Sequence, residues 1–416
     1  MKHTKLFGVM WSLVVGLSVA ANASQKIVTF SRSVPERDRI TGVQEAGGKI
    51  VKTLHIINAV AARFPDHIKD ADIYTVKGVA YVEEDKYLKW IEETSAVAGT
   101  MADKPAAIPL SSVETALERI KAGEYYQDAI PPLPSFILHP FPKAADDKEL
   151  PWGVKRVNAS GAWSAATGEG VKVAIIDTGV DYTHPDLAAH YAGGYNAVST
   201  STLPMDDHGH GTHVSGTIGA IKDGKGVAGV APGAKLYGVK VLDANGGGTY
   251  SDVIDGIQWA VDNKMQVINM SLGGRSGTPA LASVMTAAGK AGVTIVCAAG
   301  NDSGPVNYPA KYPEAIAVSA SDSSDRIAYF SSRGPEIAFI APGVSIYSTY
   351  KGAAYKTMSG TSMACPHVAG LAALAAALGA DTPDKVRAAL KKAATPLGLK
   401  PGEEGAGMIN AAKLIQ

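Results

Sequence analysis

From about residue 150 onward, short and nearly continuous apolar runs alternate with amphipathic stretches, and this alternation constrains the fold more than any other feature. The runs at 171–176, 236–242, 266–272, 294–299 and 316–320 read as strands. Between them, 250–263 and 278–290 carry apolar residues at helical spacing. A strand that is apolar along its whole length has both faces buried, and strands alternating with helices pack as a mostly parallel sheet. In such sheets, sites gather beyond the carboxyl ends of the strands. Asp177, Ser271 and Asn301 each stand at or near such an end. The pattern therefore predicts an α/β domain with its chemistry at one end of the strands.

Three glycine-flanked segments carry the reactive residue types. One ends in Asp177-Thr-Gly179, one reads His208-Gly-His210-Gly-Thr-His213, and one reads Gly360-Thr-Ser362-Met-Ala-Cys-Pro366. A serine hydroxyl is a weak nucleophile until a base takes its proton, and an imidazole base needs a carboxylate to hold its tautomer. Each residue also has an ordinary reading. Asp177 can cap the next turn, but a carboxylate ending an apolar strand is costly unless paired, and an imidazole N–H answers that cost. Ser362 can be an N-cap of the helical pattern that follows. The same position gives a nucleophile a helix N-terminus whose N–H groups can face an anion. Pro366 stands near that helix start, where a missing N–H costs little. His213 and His367 fall on the inner side of small-residue helices and read as core histidines. His208, His210 and His213 together have ligand-like spacing for a metal, but that reading leaves Asp177 and Ser362 without a purpose.

These segments resemble the active-site motifs of the subtilisin family of serine endopeptidases, and the resemblance runs from about Leu150 to Gln416. It implies a three-layer, subtilisin-like α/β fold with a mostly parallel central sheet over residues 148–416. It also implies peptide-bond cleavage through an acyl-enzyme, with Asp177, His210 and Ser362 as the catalytic residues. Ala298-Ala299-Gly300-Asn301 matches the family's oxyanion segment, so Asn301 is expected beside the N–H of Ser362. Gly246-Gly247-Gly248 and Ser271-Leu272-Gly273 resemble the segments that pair with an extended peptide as added strands, and Tyr250 matches the rim of an outer subsite. The walls at 271–273 and 298–300 imply a wide apolar slot and a preference for large apolar residues before the scissile bond. Asp302 near its mouth and Asn307 near its base are expected to admit some basic or polar residues. A structural Ca²⁺ is implied, held by the side chains of Asp186 and Asp223 and the backbone oxygens of Ile221, Lys225 and Val227, all hard ligands. The family's amide ligand aligns near Lys148, which cannot ligate; Asp147 and Glu149 flank it. Two other function classes stand beside the protease: a protease-like binding module without catalysis, and a metallohydrolase built on the histidine triplet.

The amino-terminal part reads differently. Residues 1–23 have a basic start at Lys2 and Lys5, an apolar core and a small-x-small end, the pattern of a cleaved export signal. The expected location is therefore secreted, either periplasmic or extracellular, with no membrane in the mature form. Residues 24–95 read as a small α+β unit with strands at 26–30 and 49–53, a short helix at 57–64 and a closing strand at 79–85. This order resembles the ferredoxin-like propeptides that chaperone and inhibit subtilisin-like enzymes. Residues 96–147 read as a linker or an inhibitory arm, with a capping-box pattern at 111–114 and an extended proline-rich stretch at 131–142. Processing is expected near 87–91 or just before Leu150. The expected partners are peptide and protein substrates and the chain's own propeptide, acting on a monomer. A formal net charge of zero with 19% charged residues gives no basis for nucleic-acid binding. Cys297 and Cys365 read as small buried residues, with a disulfide left open.

Overall fold

The computed structural model describes residues 23–91 and 149–416. The export signal, the capping-box pattern and the proline-rich stretch lie outside the described residues. The described chain divides into two compact units. The smaller holds the residues up to Thr53 with Asn58–Asp85, and the larger holds Leu54–Ile57 with Lys86–Gln416.

The smaller unit runs β1 (Ala23–Phe30), α1 (Glu36–Glu45), β2 (Lys49–Leu54), β3 (Ala59–Pro65) and β4 (Val79–Glu84), with a single helical turn at Asp70–Ile73 before β4. Its sheet order is β2-β3-β1-β4, the split arrangement of a ferredoxin-like unit. Val28, Phe30, Val43, Val60, Phe64 and Val82 form its core. The helix expected at 57–64 is instead strand β3, paired with β1 over seven positions. Asn58 takes a left-handed φ of 54°, which separates the strand from the turn before it. Alanine's small helical preference then yields to ladder pairing and burial on both faces. Helix α1 is faint in the sequence because only Arg39 and Val43 are buried along it.

The larger unit contains β5 (Tyr87–Lys89), β6 (Lys172–Asp177), β7 (Tyr191–Asn196), α2 (His210–Gly219), β8 (Lys235–Lys240), β9 (Gly247–Thr249), α3 (Tyr250–Asp262) and β10 (Val267–Met270). It continues with α4 (Pro279–Lys290), β11 (Thr294–Ala298), β12 (Ala315–Ser321), β13 (Ile337–Pro342), β14 (Ile346–Tyr350), β15 (Ala354–Met358), α5 (Thr361–Ala377), α6 (Pro383–Ala393), β16 (Ala394–Thr395) and β17 (Met408–Ile409). The central sheet has nine strands in the order β16-β17-β13-β12-β11-β10-β6-β8-β7. Its pairs are parallel except β16 with β17. Helices α2 and α5 pack on each other, and α5 lies against β10 to β13, while α3 packs on α4 and on β6. The result is a three-layer α/β architecture. Residues 361–375 of α5 are all buried, as expected of a helix that is apolar all round. The strand order turns at β6, with β8 on one side and β10 on the other. A crevice therefore opens beyond the carboxyl end of β6, where Asp177 stands. Among the described residues, no helix is long and apolar enough to cross a membrane.

Candidate active site

Strand β6 delivers Asp177 into a fully buried position. Its Oδ1 accepts the N–H of Thr178 at 2.7 Å. Nδ1 of His210 lies 2.8 and 3.0 Å from its two oxygens. An ionised carboxylate only accepts, so Nδ1 carries the proton and Nε2 keeps its lone pair. His210 is the first residue of α2, directly after Gly209 at φ 107°. Glycine is demanded there twice: by the left-handed backbone, and because a Cβ would meet the Tyr350 ring at 2.3 Å.

The neighbouring histidines do other work. His213 is fully buried and its Nε2 donates to the carbonyls of Ile346 and Lys356 at 3.1 and 3.0 Å. Burial, with some contribution from His210, pulls its pKa down to about 3. His367 donates from Nδ1 to the Met363 carbonyl at 2.9 Å, and burial lowers its pKa to about 4. Both are neutral core residues. Among the described residues, no three His, Cys, Asp or Glu side chains form a metal-holding group. The histidine triplet thus does not converge: His210 turns to Asp177 and His213 to two carbonyls.

Ser362 is the second residue of α5 and is 8% exposed. Its Oγ donates to the Ser271 carbonyl at 3.2 Å. Pro366 proves to be the sixth helical residue, where its missing N–H does remove a backbone bond, the one Ser362 O would accept. The Ser271 hydroxyl takes that place, donating to Ser362 O at 2.8 Å, and is itself held by Asn269 Nδ2 at 3.0 Å. Asn301 accepts at Oδ1 from the N–H and the hydroxyl of Thr361, at 2.8 and 2.9 Å. That fixes the amide's orientation and leaves Nδ2 as the donor. Leu272, Gly273, Ala298, Asn301, Asn307 and Ser362 line one small cavity of about 20 Å³.

The crevice beside this cavity holds a strand from the same unit. Tyr87, Leu88 and Lys89 pair antiparallel with Thr249, Gly248 and Gly247. The N–H groups of Trp90 and Ile91 donate to Gly246 O at 3.0 and 3.2 Å, and Trp90 O accepts from Gly273 N at 3.0 Å. The backbone is therefore gripped from both sides, by the two glycine segments expected to grip a peptide. The Trp90 indole donates to Gly248 O at 2.9 Å and meets Tyr250 edge-on with centroids 5.2 Å apart. A Cβ at Gly247 would lie 2.0 Å from the Tyr87 hydroxyl, so the close approach depends on glycine. Ala299 stands behind the slot, its N–H on Val318 O and its carbonyl accepting from Asn307 N. Asp302 is engaged by the Ser332 hydroxyl at 2.7 Å and Arg275 at 3.1 Å. Its carboxylate is therefore not held open for a basic substrate side chain. No motif marks Trp90; in the sequence it lies only within the 87–91 stretch where processing is expected.

The loop 221–228 closes around carboxylates. Asp186 is buried, and its Oδ2 accepts from Val227 N at 2.8 Å and the Tyr355 hydroxyl at 2.9 Å. Asp223 Oδ1 accepts from Lys225 N at 3.0 Å. Ile221 N donates to Asp186 O at 2.9 Å. Glu149 reaches this loop: its Oε2 accepts from Gly224 N at 2.7 Å, while its Oε1 lies 3.6 Å from Lys222 Nζ. A Cβ at Gly226 would sit 2.2 Å from Asp186 Oδ2, so the backbone is wrapped tightly over the carboxylate. The donor chemistry is all hard oxygen. With no three-carboxylate cluster formed among the described residues, an ion here would rest on two side chains and backbone carbonyls. Elsewhere, Cys297 and Cys365 are free and buried, and burial raises both thiols above their ordinary range.

A model of the subtilase family matches residues 168–408. Subtilisin E of Bacillus subtilis is 40% identical over 382 residues, which covers 90% of this chain and 85% of that protein. A subtilisin of Bacillus pumilus is 47% identical over 277 residues, 65% of this chain and 100% of its own length. A thermostable alkaline protease of Halalkalibacterium halodurans is 46% identical over 270 residues, 64% of this chain and 74% of that one. Family match and parallel-sheet architecture agree: the chain belongs to the subtilase family and is a subtilisin-like serine endopeptidase.

Proposed function

We propose that the protein is a secreted endopeptidase made as a precursor, with Asp177, His210 and Ser362 as its catalytic triad. His210 Nε2 takes the proton of Ser362 Oγ as that oxygen bonds to the peptide carbonyl carbon. The carbonyl π electrons move onto oxygen, and Asn301 Nδ2 and the Ser362 N–H hold the resulting anion. Asp177 keeps the imidazole tautomer and stabilises the imidazolium. As the tetrahedral intermediate collapses, the C–N bond breaks and His210 protonates the leaving amine. Water then attacks the acyl-enzyme by the same path, regenerating Ser362.

The observation that carries this reading is the strand at 86–91, bound through its backbone between Gly246–Gly248 and Gly273, as an extended peptide substrate would be. Residues 24–95 are then the propeptide, and this strand is its tail lying along the cleft as an inhibitor. The preference for large apolar residues is carried over from the family resemblance, at a slot walled by Leu272, Gly273, Ala298 and Gly300. Ca²⁺ is proposed as a structural ion held by Asp186 and Asp223 with the backbone oxygens of Ile221, Lys225 and Val227, while Glu149 braces the loop through Gly224 N. The ion's contribution is charge compensation and loop stiffness, not chemistry at the scissile bond. Purified Ser362→Ala precursor is expected to hydrolyse no peptide and to keep its full amino-terminal part. Unaided maturation of that variant would overturn the mechanism. Amino-terminal sequencing of the active parent is expected to show a first cut a few residues beyond Ile91.

A further inference from the structure

Asp206 lies four residues before His210 and is 4% exposed, yet the reaction as written gives it nothing to do. Its carboxylate is surrounded by donors. Oδ1 accepts from the Thr178 hydroxyl at 2.9 Å, His208 N at 3.0 Å and Gly209 N at 2.7 Å. Oδ2 accepts from Thr212 N at 2.9 Å and the Thr212 hydroxyl at 2.6 Å. Both hydroxyls then accept in turn. Thr178 Oγ1 takes Gly211 N at 3.0 Å, and Thr212 Oγ1 takes Asp181 N at 2.9 Å. Two relays therefore start at one carboxylate, and both join the segment after Asp177 to the first turn of α2.

We propose that Asp206 is a positioning residue for peptide hydrolysis: it ties the end of β6 to the start of α2 and so sets the approach of the His210 imidazole to Asp177. The proposal rests on the triad reading above. Thr178 adjoins Asp177, and Gly209, Gly211 and Thr212 bracket His210 in sequence, so the fastened atoms lie one or two residues from the paired side chains. An anion is needed because five donors converge. An asparagine would offer one oxygen and turn an NH₂ group toward donors on the other side. Each hydroxyl both gives and receives, which polarises the chain of bonds and stiffens it.

The test is steady-state kinetics on a peptide amide, with active sites counted by a serine-directed phosphonate and folding followed by thermal melting. Asp206→Asn is expected to lower kcat per titrated site about a hundredfold with KM changed less than about threefold, the signature of misplacement on the order of 1 Å. Thr178→Val, which removes one relay with little change in volume, should lower kcat about tenfold, and Thr178→Ser should restore it. If Asp206→Asn does not accumulate as folded protein, the Thr178 pair decides the matter. Unchanged kcat per site, a loss carried by KM alone, or a serine no better than valine would overturn the proposal. Ser362→Ala in parallel separates the two readings: activity surviving there removes the triad itself, whereas a dead Ser362→Ala beside an unaffected Thr178→Val removes only the positioning role.

Discussion

The head of α5 and the loop at 221–228 both hold polar groups out of water, but with opposite sign. Around Ser362 the surplus is of donors: the N–H of Ser362 at a helix start and the Asn301 amide, whose oxygen is taken by Thr361. Around Asp186 the surplus is of anionic oxygen, from Asp186, Asp223 and Glu149 against the N–H groups of Val227, Lys225 and Gly224. Neutral donors can wait, because water satisfies them until an oxyanion forms. Carboxylates carry full charge at every moment near neutral pH and need steady compensation. The first arrangement therefore suits a charge that exists only during turnover, and the second suits a resident cation. Reactivity and stability are accordingly expected to separate by region.

Ser362→Ala tests the first region most severely. Peptide hydrolysis should fall about a millionfold, the range known for losing this nucleophile in the family, while the melting midpoint holds. Asn301→Ala should come next, with kcat lower by about a hundred- to a thousandfold and KM nearly unchanged, again the range known for one oxyanion donor in relatives. For the second region, Asp186→Asn should cost about 3 kcal/mol of stability, as when one member of a buried charged group loses its match, with kcat per folded site preserved. A chelator should lower the parent's melting midpoint and leave that of Asp186→Asn almost unmoved. No chelator effect on the parent would remove the cation from the account. The remaining effect is in pH. His213 and His367 are held neutral, with pKa values near 3 and 4, below the unfolded value of about 6.5. Between about pH 6.5 and 4 the unfolded chain binds more protons, so stability falls as pH falls, by up to about 1.4 kcal/mol per unit for each histidine. Melts of Ser362→Ala protein from pH 7 to 4.5 check this, and a flat midpoint would contradict it.

Much of the catalytic unit was readable in advance because its information is local. Strands such as 294–298 are apolar along their length, and Asp177, His210, Ser362 and Asn301 each lie in short motifs with little freedom of interpretation. What escaped depended on distant partners. The segment 57–64 looked helical from its alanines and became β3 because β1 lies beside it. Pro366 looked harmless until its true helical position exposed the need for Ser271. Asp206 carries only a weak signal, a carboxylate shortly before His-Gly-His: four of its five donors are nearby at 208–212, but the link to the segment after Asp177 runs through the distant Thr178. Glu149 reaches the loop through Gly224 N, a contact that spacing alone left open, while Asp147 lies outside the described residues.

The exchange of a helical bond for the Ser271 hydroxyl has a consequence in time. An ordinary helix satisfies the Ser362 carbonyl by itself, as soon as one turn forms. Here the partner is 91 positions away at the end of another strand, so that carbonyl is satisfied only after β10 and α5 have docked. The setting of the proposed nucleophile is thus completed by long-range packing and not by its own helix. A half-folded chain, with β10 and α5 apart, carries Ser362 without the setting that its proposed role requires.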